Sequence, residues 1–291
     1  HQEIEDILVL KNNKGTEDNR VRKLDYSIQL SKIFYERFIK DEEITLFSPN
    51  NVPGLYEAFG LPEFDDLYLK YENNKKIPHS KIRAQTLFMD LLKERAETGR
   101  IYIMNIDHCN THSSFKDKVY MSNLCQEITL PTTPLQHIDD KNGEIALCIL
   151  SAINLGLVKE KDELEELCDL SVRALDEIID YQEYPVEAAK KSTEARRSLG
   201  IGYIGLAHYL AKNKVKYNDK AALKLVDEVT EAFQYYLLKA SNTLAQEKGK
   251  CDWFDKTKYA DGILPIDTYK KDLDSIIKRK LSYDWNTLRQ D

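Results

Sequence analysis

No stretch of the chain approaches the roughly 18 consecutive apolar residues that a bilayer-spanning helix needs. With 42% hydrophobic and 31% charged residues, the composition is that of a soluble globular protein, and no membrane partner is expected. An excess of positive charge is missing too. The formal net charge is −7, whereas gripping a nucleic-acid backbone takes clustered Lys and Arg that displace counterions. A local basic patch would still fit inside an acidic total, but no nucleic-acid partner is expected. There is no CxxC pair among the five cysteines, Cys109, Cys125, Cys148, Cys168 and Cys251. An odd count with wide spacing argues against a secreted disulfide framework and for free thiols in a reducing cytoplasm. The chain opens on His1 rather than methionine and continues with polar residues, so no signal peptide is expected, and the sequence reads as a portion of something longer. Internal repeats and low-complexity tracts are also absent.

What is present is 291 residues, enough for one large domain or two ordinary ones. Apolar residues recur at mainly helical spacing from Asn19 to Lys40 (Leu24, Ile28, Leu30, Ile33, Phe34, Phe38) and again from Ser80 to Thr98, where Gly99 supplies a helix stop. "RIYIMNID" reads as a strand and "HCNTHSSFKDK" as a polar loop. "EIALCILSAINLG" is a near-continuous apolar run. It suits a strand buried on both faces, with a buried helix as the competing reading. Asp162 to Tyr181 and Ala221 to Lys248 are amphipathic helices, and "GILPIDTYKKDLDS" reads as loop and then short helix. Helices alternating with a few strongly apolar strands make the fold class α/β, with a parallel sheet or barrel.

Chemistry-bearing residues gather in "MSNLCQEITLP", Met121 to Pro131. Read as extended chain, Asn123, Cys125 and Glu127 share one face, with alternate side chains roughly 6.5–7 Å apart, a span that fits a sugar. The plainer reading makes Cys125 a small buried hydrophobe and the other two a solvated strand end. Cys148, inside the apolar run, and Cys168, on an amphipathic face, read as packing, and Cys251 as a surface or packing residue. His108, Cys109 and His112 raise a metal site, but the segment has loop composition and too few ligands for zinc. "GIGYIG" (Gly200, Gly202, Gly205) matches a dinucleotide fingerprint. The charged "KKSTEARR" precedes it, however, where a strand is required, so a tight turn with close helix packing is the preferred reading.

Taken together and in order, "TGRIYIMNIDHCNTHS", "SNLCQEITLPT", "NGEIALCILSAINLG", "RRSLGIGYIGLAHYLAK" and "GILPIDTYKKDLD" resemble the large catalytic subunit of class I (aerobic) ribonucleotide reductase, of the bacterial and T-even phage kind. The resemblance runs along practically the whole chain. It implies part of a ten-stranded α/β barrel with a central finger loop and a helix-rich periphery, the chain covering the middle of that catalytic domain. It also implies reduction of ribonucleoside diphosphates to deoxyribonucleotides, which supplies DNA precursors. By this resemblance Cys125 matches the thiyl-radical cysteine, Glu127 the carboxylate that takes the 3′-hydroxyl proton, and Asn123 the amide that binds the sugar. Leu124 and Gln126 complete a substrate-binding stretch, and Cys148 matches one of two redox-active cysteines.

The same resemblance implies no cofactor or metal bound by this chain. The radical comes from a small subunit with a di-iron centre and tyrosyl radical, and thioredoxin or glutaredoxin is the external reductant. Partners are that small (beta) subunit, the remainder of the large subunit, ribonucleoside diphosphate substrates and nucleotide effectors, all in the cytoplasm. The redox partner of Cys148, the ATP-binding region, the phosphate-holding loop, the stacked tyrosines and the C-terminal cysteines have no counterpart in this sequence, so the isolated chain is expected to be inactive. A non-catalytic remnant that binds a partner subunit is the alternative, and a metal-dependent hydrolase using His108 and His112 a third.

Overall fold

The computed structural model describes residues 1–268 and 280–291, with Lys161 and Asp162 described in their main chain only. The tail helix expected after Thr268 lies outside the described residues. The chain divides into two compact units, residues 1–113 with 118–130 and residues 114–117 with 131–291.

The first unit runs α1 (Ile4–Leu8), β1 (Ser27–Leu30), α2 (Lys32–Lys40), β2 (Glu43–Phe47), α3 (Leu55–Ala58), α4 (Phe64–Glu72), β3 (His79–Arg83), α5 (Ala84–Thr98), β4 (Tyr102–Asn105) and α6 (Ile106–Thr111). The expected strand at "RIYIMNID" is β4, paired parallel to β1 with Ile28 opposite Ile103. Two other expectations change. The N-terminal half of the Asn19–Lys40 pattern is not helix: Ile28 and Leu30 alternate with Ser27 and Gln29 in β1, and pairing with β4 overrides the apparent helical spacing. Likewise β3 takes the start of the Ser80–Thr98 pattern, pairing antiparallel with β2, and α5 begins only at Ala84. Gly99 closes α5 in a left-handed conformation at φ +65°, as its position predicts. Leu8, Ile28, Leu30, Phe34, Leu87, Leu91 and Ile101 form one apolar core, and Ile33, Phe47, Val52, Phe64 and Tyr68 a second. A charged brace joins α2 to α4, where the Arg37 guanidinium donates to both Glu72 carboxylate oxygens at 2.6 and 2.5 Å.

The second unit runs β5 (Ile149–Asn154), α7 (Lys161–Tyr181), α8 (Glu187–Arg196), β6 (Leu199–Ile204), α9 (Leu206–Lys212), α10 (Lys220–Lys248) and a short helix Trp285–Gln290. Helices α7 and α10 realise the two amphipathic patterns. Leu164, Cys168, Val229, Ala232, Phe233 and Tyr236 pack together with Ile153 of the sheet. β5 and β6 are parallel, with Leu150 opposite Gly200 and Ala152 opposite Gly202. The apolar run is thus a strand only from Ile149, and it is not buried on both faces: Leu150 is 61% exposed while Ile153 is 6% exposed. Within "GIGYIG", Gly200 and Gly202 belong to β6 itself. The turn lies at Gly205, left-handed at φ +74° before α9, where a Cβ would strike the Asn154 side chain. A phosphate-binding turn needs its glycines after the strand, so the dinucleotide reading fails on placement.

Architecturally this is a mixed α/β chain. Among the described residues the sheets are two-stranded and none closes on itself. No helix among them is long and apolar enough to cross a membrane.

Candidate functional site

Residues 122–128 form a tight loop, not the extended segment expected from alternation. Short polar side chains here bond the local main chain instead of leaving it to pair in a ladder. The Asn123 carbonyl accepts from the Gln126 N–H at 3.2 Å and from the Gln126 side-chain amide at 2.9 Å. Gln126 is left-handed at φ +66°, an unusual conformation for a residue with a side chain. Asn123 Oδ1 accepts from the Ile128 N–H at 3.1 Å, and the Ser122 hydroxyl donates to the Ile128 carbonyl at 2.7 Å.

The chain reversal puts two of the three predicted residues in direct contact: Asn123 Nδ2 donates to Glu127 Oε1 at 2.5 Å. Cys125 sits exposed on the turn between them. Leu124 is 45% exposed, and the buried Gln126 Oε1 has no hydrogen-bond partner. The three residues are therefore grouped by a turn, not by a shared strand face. Glu127 is exposed. Chemically the turn offers a free thiol beside a carboxylate whose direction is fixed by an amide.

Cys148 lies in the second unit, one residue before β5 and half-buried, and burial pushes its thiol above the ordinary cysteine range. A thiol so placed stays protonated at neutral pH. Gly200 faces it: a Cβ built there would stand 2.6 Å from Cys148 Sγ and 2.5 Å from Leu150 Cδ2. Upstream, Glu144 pairs antiparallel with Thr133 in an isolated bridge. Its carboxylate accepts from Arg196 at the end of α8 at 3.0 Å. Arg196 also donates to Asp117 at 2.8 Å, and its guanidinium carbon stands 4.7 and 5.3 Å from the ring centres of Trp253 and Phe115.

The other cysteines divide as their neighbourhoods dictate. Cys168 is wholly buried, its thiol pushed up to about 12 chiefly by desolvation, in keeping with a core role. Cys251 is half-buried, as a packing residue would be. Cys109 and His108 lie on α6 instead of in a loop, with the His108 and His112 rings 5.6 Å apart. Among the described residues no group of three or more His, Cys, Asp or Glu side chains could hold a metal ion. Sequence reasoning missed Gly200 and Arg196. Placing the two glycines in strand register opposite Leu150 and Ala152 would have exposed the first. Nothing local marks the second, since its partners lie 52 and 79 residues away.

A family model described as the ribonucleotide reductase barrel domain matches residues 1–291. The chain is 60% identical to the ribonucleoside-diphosphate reductase subunit alpha of Haemophilus influenzae, over all of its own length and 39% of that relative. It is 57% identical to the subunit alpha of Escherichia coli reductase 1, and 42% identical to that of Enterobacteria phage T4, with the same coverage. It therefore spans about two fifths of the length of these curated relatives.

Proposed function

The chain belongs to the ribonucleotide reductase barrel-domain family, and on that premise we propose that it carries the radical and redox residues of a class I large subunit, as a central portion of the catalytic barrel domain. In this reading the whole polypeptide reduces ribonucleoside diphosphates in the cytoplasm, with a beta subunit whose di-iron centre and tyrosyl radical generate the radical equivalent. Nucleotide effectors regulate it, and thioredoxin or glutaredoxin restores the thiols. The two-stranded sheets, with their open edges, are taken as parts of the ten-stranded barrel.

The observation that carries the proposal is the 122–128 turn, where one amide holds one carboxylate beside an exposed thiol. A thiyl radical on Cys125 takes the 3′ hydrogen of the ribose and becomes a thiol. Glu127 accepts the 3′-hydroxyl proton, at the roughly 2.6–3.2 Å that proton transfer requires. Asn123, already bonded to Glu127, directs the carboxylate and binds the sugar with Leu124 and Gln126. Cys148 and a second thiol outside this chain then each supply one electron and one proton. The 2′-hydroxyl leaves as water, a hydrogen takes its place at the 2′ carbon, and the two sulfurs close a disulfide. Cys125 returns its hydrogen to the 3′ carbon while Glu127 returns its proton to the 3′ oxygen, and the radical is regenerated. The protonated state that burial favours at Cys148 suits a group that must deliver a proton with its electron.

Exposure of Cys125 and Glu127 also supports the expectation that this chain does not turn over by itself, because a radical sulfur needs shelter from solvent. Cys125→Ser in the complete natural polypeptide, assayed with the beta subunit and a dithiol reductant, should abolish deoxyribonucleotide formation with substrate binding near normal. Cys148→Ser should stall after a single damaging turnover. Retained activity in both variants overturns the assignments, and a wild-type protein that binds the beta subunit but forms no product favours the scaffold alternative.

A further inference from the structure

Cys148, Leu150 and Gly200 meet on the exposed face of the β5–β6 ladder. Non-bonded carbon atoms settle at about 3.5–4.0 Å, so the 2.6 and 2.5 Å approaches of a Cβ at position 200 would force Cys148 Sγ or Leu150 Cδ2 to move by roughly 1 Å. The main chain supplies no competing reason for glycine, since Gly200 is not among the positive-φ residues. Gly202, two residues along the same strand, meets nothing within 4 Å of an added Cβ. The two glycines are therefore unequal, and only one is fitted to a sulfur.

We propose that Gly200 is a positioning residue for the Cys148 thiol: its absent side chain is the space that sets where the sulfur stands for reduction of the 2′ carbon. This rests on the reading of Cys148 as a reducing thiol. The step keeps the balance given above, two thiols becoming a disulfide while the 2′ C–O bond breaks and a C–H bond forms. Displacing one thiol leaves hydrogen abstraction by Cys125 intact and slows the reduction that follows. A misplacement of about 1 Å can cost on the order of 100-fold in rate.

The test uses the complete natural polypeptide with its beta subunit, and compares Gly200→Ala with Gly202→Ala and with Gly200→Ala/Leu150→Ala. Deoxyribonucleotide formation should fall about 100-fold in Gly200→Ala, and the ratio of base lost from the stalled sugar to deoxyribonucleotide should rise. Gly202→Ala should leave that ratio unchanged, and the Leu150→Ala addition should not rescue it. Iodoacetamide labelling of Cys148, read by peptide mass spectrometry, should change in both variants that carry Gly200→Ala and not in Gly202→Ala. Should Gly200→Ala fail to fold, adding Cys148→Ala restores the fold if sulfur is the displaced group, and failure to restore it overturns the proposal. An unchanged product ratio in Gly200→Ala, rescue by Leu150→Ala, or equal damage from both glycine variants also overturns it. Should Cys148→Ser itself retain turnover, the functional reading fails first; should Cys148→Ser be dead while Gly200→Ala partitions normally, this inference alone fails.

Discussion

Removing the Arg196 side chain should destabilise the second unit by about 3–5 kcal/mol, the cost of breaking a buried pair and leaving its partner charged and uncompensated. The Arg196 side chain is 3% exposed and that of Glu144 10%, while Asp117 at 40% retains much of its water. The loss therefore falls on Glu144, whose carboxylate accepts twice from this guanidinium. The Asp117 contact, like other exposed pairs, is worth about 0–1 kcal/mol. Both tryptophans of the chain, Trp253 and Trp285, lie in the second unit, so tryptophan fluorescence in urea follows that unit. With a urea slope of roughly 1–3 kcal/mol per molar, Arg196→Met should lower the midpoint by about 1 M or more. Asp117→Asn should shift it far less. Arg196→Lys should fall between, since a lysine cannot reproduce a planar fork near two aromatic rings. Adding Glu144→Leu to Arg196→Met should recover part of the loss, because no charge is then stranded. A loss below about 1 kcal/mol for Arg196→Met, or equal losses for Arg196→Met and Asp117→Asn, would refute the reasoning.

Glu231 should staple the last described segment: one carboxylate oxygen accepts from Ser282 N, Tyr283 N and the Trp285 indole at 2.8, 3.4 and 3.1 Å. Glu231→Ala should speed proteolysis after residue 280 and shift Trp285 emission, with a cost of about 1.5–3 kcal/mol for a charge-assisted hydrogen bond. Gly60 is left-handed at φ +84° and a Cβ there would stand 2.5 Å from Ile106 Cγ1. Gly60→Ala should thus lower the thermal midpoint of the first unit through about 1–3 kcal/mol of overpacking on top of backbone strain. The hydrogen bond from Arg37 holds the Glu72 carboxyl below the usual carboxylate range. A depressed folded-state value means stability that is present above the ordinary glutamate range and lost as pH falls from there through the lowered value, so acid titration of stability should be shallower in Glu72→Gln. Thiol labelling in the folded chain should modify Cys125 fastest and Cys168 only on unfolding, as their exposures require. Labelling of Cys168 at the Cys125 rate would contradict the packing described for α7 and α10.

Long-period patterns were legible because burial dictates them. The α7 and α10 stripes bury Cys168, Phe233 and Tyr236 as their spacing requires, and β4 follows from its β-branched and aromatic residues. Misreadings concentrate where a two-residue and a 3.6-residue period look alike over a few positions. Ile28 and Leu30 fit either, and pairing with a strand about 75 residues away decides between them. The 122–128 turn failed for a different reason. Apolar and polar residues alternate there, yet Ser122 and Asn123 bond the local main chain and turn it back. The candidate site residues rest on resemblance to a family. Their mutual geometry was not legible, because the Asn123–Glu127 contact depends on a left-handed Gln126 that no periodicity announces.

The cysteine environments bear on why such a chain would carry a thiol on a turn at all. Thiols used only for packing are best placed like Cys168, sealed between helices where desolvation makes the thiolate inaccessible. A hydrogen-atom donor and acceptor has the opposite requirement: its sulfur must reach a substrate, so it needs projection, and its neighbours must be fixed before the substrate arrives. The Asn123–Glu127 bond meets that second condition without a substrate present, since it orients the carboxylate through groups within five residues of one another. Preorganised neighbours avoid reorganisation during the reaction, and a turn closed by Ser122, Asn123 and Gln126 provides them locally. In its proposed role Cys148 needs less projection and more control of its proton, and it has a half-buried position against a residue with no side chain. Under the proposed roles, a turn that fixes its neighbours suits Cys125 once the rest of the polypeptide shelters the sulfur, and partial burial beside glycine suits Cys148.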